Sequence, residues 1–249
     1  METFQTAVSR DIALDVTTIE ARGKLASPQA SKVQTVLTNC LNECPASVIV
    51  DLTACPDVSP EAMAMIADTA TQAHEEFPPV TVMLCGPSSP ATSTLPRFES
   101  RSEAMRAAAD SRARQPIESL TFERSPSAPG RIRNWLAAIC RRWLVPNVCS
   151  DAELVVSELV TNAVTHGGTG GTVEVALRDG FLHIRVRDDG ASLPETTPAM
   201  PTGAPGDALP SGRGLALVRL LSSAWGFLVD SRGSTKVVWA ALRWQPAAA

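Results

Sequence analysis

A chain of 249 residues with 44% hydrophobic and 19% charged residues has room for two domains with packed cores, which excludes a disordered chain. A net charge of −4 gives no basic footprint for nucleic acid, and no apolar run approaches the roughly 20 residues of a membrane span. The six cysteines form no Cys-x-x-Cys pair and the three histidines are scattered, which argues against zinc and for a reduced, cytosolic protein; Met1–Thr6 lacks the features of a signal peptide.

In chain order, Ile12–Glu20 alternates like a half-buried strand. Ser27-Pro28 opens a helix to about Leu41, with proline at a favourable first position. Ser47–Leu52 is a short apolar strand, Pro60–His74 a helix with Ala62, Met63, Ile66 and Ala70 inward, and Val80–Leu84 a buried strand. An Ala-rich helix over Glu103–Ala109 closes the segment. Strands alternating with helices predict a sheet with helices on one face. The polar run Asp110–Pro116 suits a linker, placed over 111–117.

Ser119–Glu123 reads as an edge strand, and Ser127 as the cap of a helix carrying Ile132, Trp135, Leu136 and Ile139. Ser150 with Glu153 reads as a capping box that starts the next helix near Asp151. Positions four apart drift by only about 40° around a helix, so Glu158, Asn162 and His166 share an edge with Asp151, Thr161 and Thr165. Ala152, Val156, Leu159, Val160 and Ala163 form the opposite, core-facing stripe. A carboxylate and a carboxamide one turn apart can together hold hydrated Mg²⁺, although an ordinary solvated helix face has the same pattern.

Gly167–Gly171 lacks the Lys-Ser/Thr ending of a P-loop and reads as a connector into strand Thr172–Arg178. Arg178-Asp-Gly180 is a hairpin turn into Phe181–Asp188, where Leu182, Ile184, Val186 and Asp188 point one way. His183 falls on the other side and reads as a solvated surface residue. Asp188 ends a buried face, and an uncompensated carboxylate there calls for a ligand or a bound water, unless Asp-Asp-Gly is only a turn. Ala191–Pro210 is proline-rich without periodicity, and Gly212-Arg-Gly214 leads directly into an apolar helix whose first N–H groups favour anions. Strands over Ala224–Asp230 and Thr235–Leu242 complete the set, with 245–249 as a tail.

Two resemblances follow from these residues. Over 1–110 the element order and Val48-Ile-Val-Asp-Leu-Thr53 resemble the STAS domain of anti-sigma factor antagonists. In that family the next turn carries Asp-Ser-Ser-Gly, whose serine a partner kinase phosphorylates. Here Val58-Ser59-Pro60-Glu61-Ala62 puts Ser59 at the Asp position and Pro60 or Glu61 at the acceptor, so the resemblance implies a degenerate STAS domain.

Over 118–244, three motifs in order resemble the GHKL ATP-binding fold, and most of all its anti-sigma factor serine kinase branch. Glu158–His166 is similar to the N box, Asp188-Asp189-Gly190 to the adenine motif and Gly212-Arg213-Gly214-Leu215 to the lid glycine motif. The resemblance implies an α/β sandwich with a mixed sheet and helices on one face, with ATP and Mg²⁺ as cofactors. It implies Asn162 as Mg²⁺ ligand, Glu158 as the residue that orients or deprotonates the attacking hydroxyl, Asp188 as acceptor for the adenine amino group, and Gly190 as room for the ring. Gly212, Arg213, Gly214 and Leu215 would meet the phosphates, under a lid over 191–211. His166 either lines the phosphate side or is a helix-end polar residue.

The family often has Lys-Thr-Val-Trp in the last strand, whereas this chain has Lys236-Val-Val-Trp239, leaving Thr235 as a substitute hydroxyl. The implied activity is a protein serine kinase acting on a STAS-type antagonist, with a sigma factor as a further partner and a homodimer left open. The alternative is an ATP-binding partner-switching module without transfer. Neither nucleic acid nor membrane is an expected partner.

Overall fold

The computed structural model describes residues 4–76, 78–86, 94–190, 213–229 and 235–244. It divides into two compact units, Met1–Arg114 and Gln115–Ala249.

In the N-terminal unit, β1 (Gln5–Asp11) and β2 (Val16–Arg22) form an antiparallel hairpin with Asp11 opposite Val16. The strand expected over Ile12–Glu20 is therefore two strands with a turn between them. Asp11 Oδ1 accepts from Leu14 N at 2.9 Å, and Asp15 takes a left-handed φ of 57°. Both are roles that aspartate fills in turns, and they interrupt the alternation.

The chain continues through α1 (Ser27–Asn42), β3 (Ser47–Ala54), α2 (Pro60–Glu76), β4 (Thr81–Cys85), β5 (Arg97–Phe98) and α3 (Arg101–Ala113). The sheet runs β1-β2-β3-β4-β5, parallel from β2 onward, so it is mixed. Ile19, Val48, Val50, Val82 and Leu84 pack with residues of α1 and α2. Val16, Ile49, Met83 and Cys85 pack instead with Ala104 and Ala108 of α3. Helices thus cover both faces rather than one, because successive strand residues alternate sides and both sets are apolar. The run expected as a linker from Asp110 is largely the last turn of α3, N-capped at its other end by Ser100, whose hydroxyl accepts from Glu103 N.

In the C-terminal unit, β6 (Ile117–Phe122), α4 (Ala128–Arg142), α5 (Pro146–Asn162), a π turn (Ala163–Gly167), β7 (Gly171–Arg178) and β8 (Phe181–Asp188) lead to α6 (Arg213–Leu221), β9 (Ala224–Val229) and β10 (Lys236–Arg243). The sheet order is β6-β7-β8-β10-β9 with every ladder antiparallel, so the mixed sheet is that of the N-terminal unit. One face carries Val173, Val175, Leu182, Ile184, Val186, Val238, Ala240 and Leu242 into a core with α4, α5 and Val218 of α6. Each large side chain buried there contributes about 1.5–3 kcal/mol.

Two helix starts differ from expectation. Helix α5 begins at Pro146, whose missing N–H costs nothing in a first turn, so Ser150 lies inside the helix and is no cap. Ser127 occupies the position before α4 but caps nothing; its hydroxyl pairs with that of Ser125 at 2.8 Å. The apolar stripe of α5 is as expected: Ala152, Val156, Leu159, Val160 and Ala163 are all buried.

Candidate functional site

The site is built where α5 ends against the end of β8. Asp179 and Gly180, with φ of 47° and 79°, make the tight turn that sets the β7–β8 register. That register carries the side chain of Asp188 to the core-facing side, beyond Leu182, Ile184 and Val186, where it is 1% exposed. Asp188 Oδ1 accepts a hydrogen bond from Gly190 N at 3.0 Å. Oδ2 is buried and accepts none.

The antiparallel pairing of β10 with β8 sets Lys236 opposite Asp188. Its ammonium lies 3.5 Å from Oδ2 and is itself buried. The carboxylate is therefore compensated in charge, which the sequence reading did not foresee. Burial pushes the Asp188 carboxyl up from its ordinary value, and the Gly190 N–H and Lys236 oppose that shift. Thr235, just before β10, donates to Asp189 Oδ1 at 3.2 Å, so its hydroxyl serves the second aspartate of the motif.

After Asn162 the helix widens into the π turn Ala163–Gly167, a feature frequent at functional sites. Gly168 then leaves it in the left-handed conformation at φ 69°. Gly167 is pressed on Asp188: a Cβ there would come within 2.7 Å of Oδ1. A Cβ on Gly190 would in turn overlap the backbone of Gly167. The glycine run read as a mere connector thus contributes a bare backbone surface beside the acid.

The other half of the site is one to two turns back along α5. Glu158 and Asn162 are partly exposed on one edge. A Cβ on Gly214 would overlap Glu158 Oε2, so the start of α6 lies directly against that carboxylate. From Glu158 to Gly167 the chain advances nine residues, roughly 13 Å at helical rise. An extended nucleoside triphosphate covers such a span from base to terminal phosphate.

Of the remaining expected site residues, Leu215 is partly buried against the core. Arg213 opens α6. Gly212 and the side chains of Arg213 and His166 lie outside the described residues, as does the stretch 191–211. Among the described residues no three His, Cys, Asp or Glu side chains gather as a metal site. The Asn162 carboxamide, phosphate oxygens and water are a donor set that Mg²⁺ accepts.

His183 corrects an expectation. It is buried at 3% exposure, with Arg178 Nη2 donating to its Nδ1 at 3.0 Å. The second face of this sheet also carries buried Phe181, Val237, Trp239 and Ala241, so pointing away from the core did not mean pointing into solvent. Burial, then the charges of Arg178 and Arg185, hold the imidazole well below its ordinary value. The cysteines behave as expected of small core residues: five are buried, and burial pushes the Cys140 thiol up to about 12.

Residues 122–241 match the histidine kinase-like ATPase domain family. The match lies within the C-terminal unit, and similarity to an ATPase domain points to ATP as its nucleotide. Within that class the chain is similar to the anti-sigma F factors of Geobacillus stearothermophilus and Geobacillus kaustophilus (strain HTA426). Each is 37% identical over 51 residues, covering 18% of this chain and 35% of the relative. The chain thus spans about a third of the length of the curated relatives it matches.

Among solved structures, the RsbU and RsbW domains of a Mycobacterium tuberculosis protein align at 22% identity and a TM-score of 0.40. That alignment covers 53% of this chain and 34% of the other. An anti-sigma factor antagonist from Mycobacterium paratuberculosis aligns at 17% identity and a TM-score of 0.36, covering 43% of this chain and 94% of the other. No described helix is long and apolar enough to cross a membrane.

Proposed function

We propose that this chain is a partner-switching regulator whose C-terminal unit phosphorylates a serine of a STAS-type antagonist at the expense of ATP. The observation that carries the reading is the layout along α5. A buried carboxylate with an unused acceptor oxygen stands at one end, and a partly exposed carboxylate touching a glycine-led helix start stands at the other. In this reading Asp188 Oδ2 accepts from the adenine amino group, and the bare backbone of Gly167 and Gly190 leaves room for the ring. Asn162, together with the phosphates, would hold Mg²⁺, which would supply charge neutralisation for the transferred group.

Glu158 takes the proton of the incoming serine hydroxyl as its oxygen bonds to the γ-phosphorus and the bond to the β–γ bridging oxygen breaks, releasing ADP. Positioning and charge do most of the work in such a transfer, and the N–H groups at the start of α6, beside Glu158, suit anionic phosphates. The N-terminal unit takes the part of a STAS-like domain that does not accept phosphate. The Ser59 hydroxyl accepts from Ala62 N at 3.1 Å as the cap of α2, and Pro60 follows it as the first helical residue.

Incubation of the full chain with γ-labelled ATP and a panel of STAS proteins tests the proposal. Label on a partner serine, and none on Ser59, is the expected result. ATP-dependent binding of a partner without label would make the chain a binding module instead.

A further inference from the structure

The base end of the site holds a charged residue that the proposed reaction does not use. Lys236 is 4% exposed and faces Asp188 across the β8–β10 ladder. A buried ion pair is no cheaper than an apolar pair of similar volume, so stability alone does not explain a lysine there. The 3.5 Å separation between Nζ and Asp188 Oδ2 is also longer than the roughly 2.7–2.9 Å of a charge-assisted hydrogen bond. What the two strands present, side by side, is an acceptor and an obligate donor, since an ammonium can only donate. Such a pair complements an aromatic edge with an amino group next to an acceptor nitrogen.

We propose that Lys236 reads the nucleotide base, donating from Nζ to ring nitrogen N1 of adenine while Asp188 Oδ2 accepts from the 6-amino group. This rests on the reading of Asp188 as the base acceptor and adds the residue that discriminates. With the 6-substituent held at Asp188, guanine or hypoxanthine turns a carbonyl toward the carboxylate and an N1–H toward the ammonium. Both contacts are then mispaired in a buried place, the situation in which selectivity is greatest. The antiparallel register makes this possible. It places Lys236 at the level of Asp188, with its side chain on the face shared by Val238, Ala240 and Leu242.

The test is equilibrium titration of the full chain with ADP and with 1-deaza-ADP, in which N1 is replaced by C–H and the amino group is kept. Wild type is expected to bind the 1-deaza analogue roughly ten- to a hundred-fold more weakly than ADP. Lys236→Met is expected to bind both weakly and about equally. Lys236→Gln, which keeps an amide donor, is expected to recover part of the preference. Equal binding of the two ligands by wild type overturns the inference and needs no variant to fold. So does a Lys236→Met protein that is folded by circular dichroism and keeps the wild-type ratio, because Lys236 would then be only a counter-ion. Binding of neither ligand by wild type is a different failure, that of the nucleotide reading itself.

Discussion

Each unit buries an aspartate near the end of a central strand, and the two are treated differently. Asp51 near the end of β3 is 7% exposed, and its Oδ1 accepts from Thr53 N at 3.0 Å and from the Thr53 hydroxyl at 2.6 Å. Its needs are met two residues away, within its own strand end. Asp188 at the end of β8 is more deeply buried, uses one oxygen for Gly190 N, and keeps the other without a hydrogen bond. Glycines at 167 and 190 clear the space around it, and a lysine from another strand balances its charge. A buried acid satisfied by its neighbours is part of the fold. A buried acid held one bond short, beside bare backbone, marks a candidate site.

The contrast can be broken at several points. The largest effect is expected at the far end of the site, since Glu158→Gln keeps the size of the side chain and removes its basicity. Transfer to a STAS partner in a single turnover should fall about 10²–10⁴-fold with nucleotide binding nearly intact. A wild-type rate would make this carboxylate structural.

Gly167→Ala adds a methyl 2.7 Å from Asp188 Oδ1, and either the acid or the π turn must give way. A loss of about 1–3 kcal/mol, read as weaker ADP binding and a lower chemical-denaturation midpoint, is the expected outcome. Unchanged values for both would mean that Gly167 does not bound the site.

The pH dependence of stability isolates His183. Its folded-state value lies below the ordinary 6.5, so its contribution is fully present above about pH 6.5 and is lost as pH falls toward the depressed value. Stability should drop by up to about 1.4 kcal/mol per pH unit through that window. His183→Gln should flatten this limb in urea titrations at pH 7 and pH 5, whereas an unchanged slope would assign the acid sensitivity elsewhere.

The smallest effect is expected at the counterpart acid. Asp51→Asn should cost about 1 kcal/mol in denaturant unfolding, because it weakens hydrogen bonds within one strand end. It should leave nucleotide affinity unchanged, and a loss of ADP binding would erase the distinction between the two aspartates.

Much of the arrangement could be read from residue order. The α5 stripe, the Asp-Gly turn and the alternation along β8 place Asp188 inside from sequence pattern alone, because period and turn chemistry are local. What escaped was non-local. Lys236 meets Asp188 only through the β8–β10 register, and Gly167 meets it only because the π turn folds the chain back. Neither contact leaves a mark in its own neighbourhood of sequence, although a lysine opening an otherwise apolar strand was a signal available to be weighed. His183 differs from expectation for a related reason: alternation tells which side a residue takes, but not whether that side is dry. The start of α5 and the single strand expected over Ile12–Glu20 differ from the structure where two local signals compete. Ser150 offers a cap inside a helix that Pro146 has already begun, and the alternation from Ile12 runs on across the turn at Asp15.

The most direct test of the central claim is calorimetric titration of the full chain and its Asp188→Asn variant with a non-hydrolysable ATP analogue. The substitution keeps shape and burial, but lets an amide present a donor where the adenine amino group needs an acceptor. Wild type should bind, and the variant should lose about 2–4 kcal/mol, roughly thirty-fold to a thousand-fold in affinity. Near-equal affinity in the two proteins would show that Asp188 is a turn residue like its N-terminal counterpart, and would contradict the account.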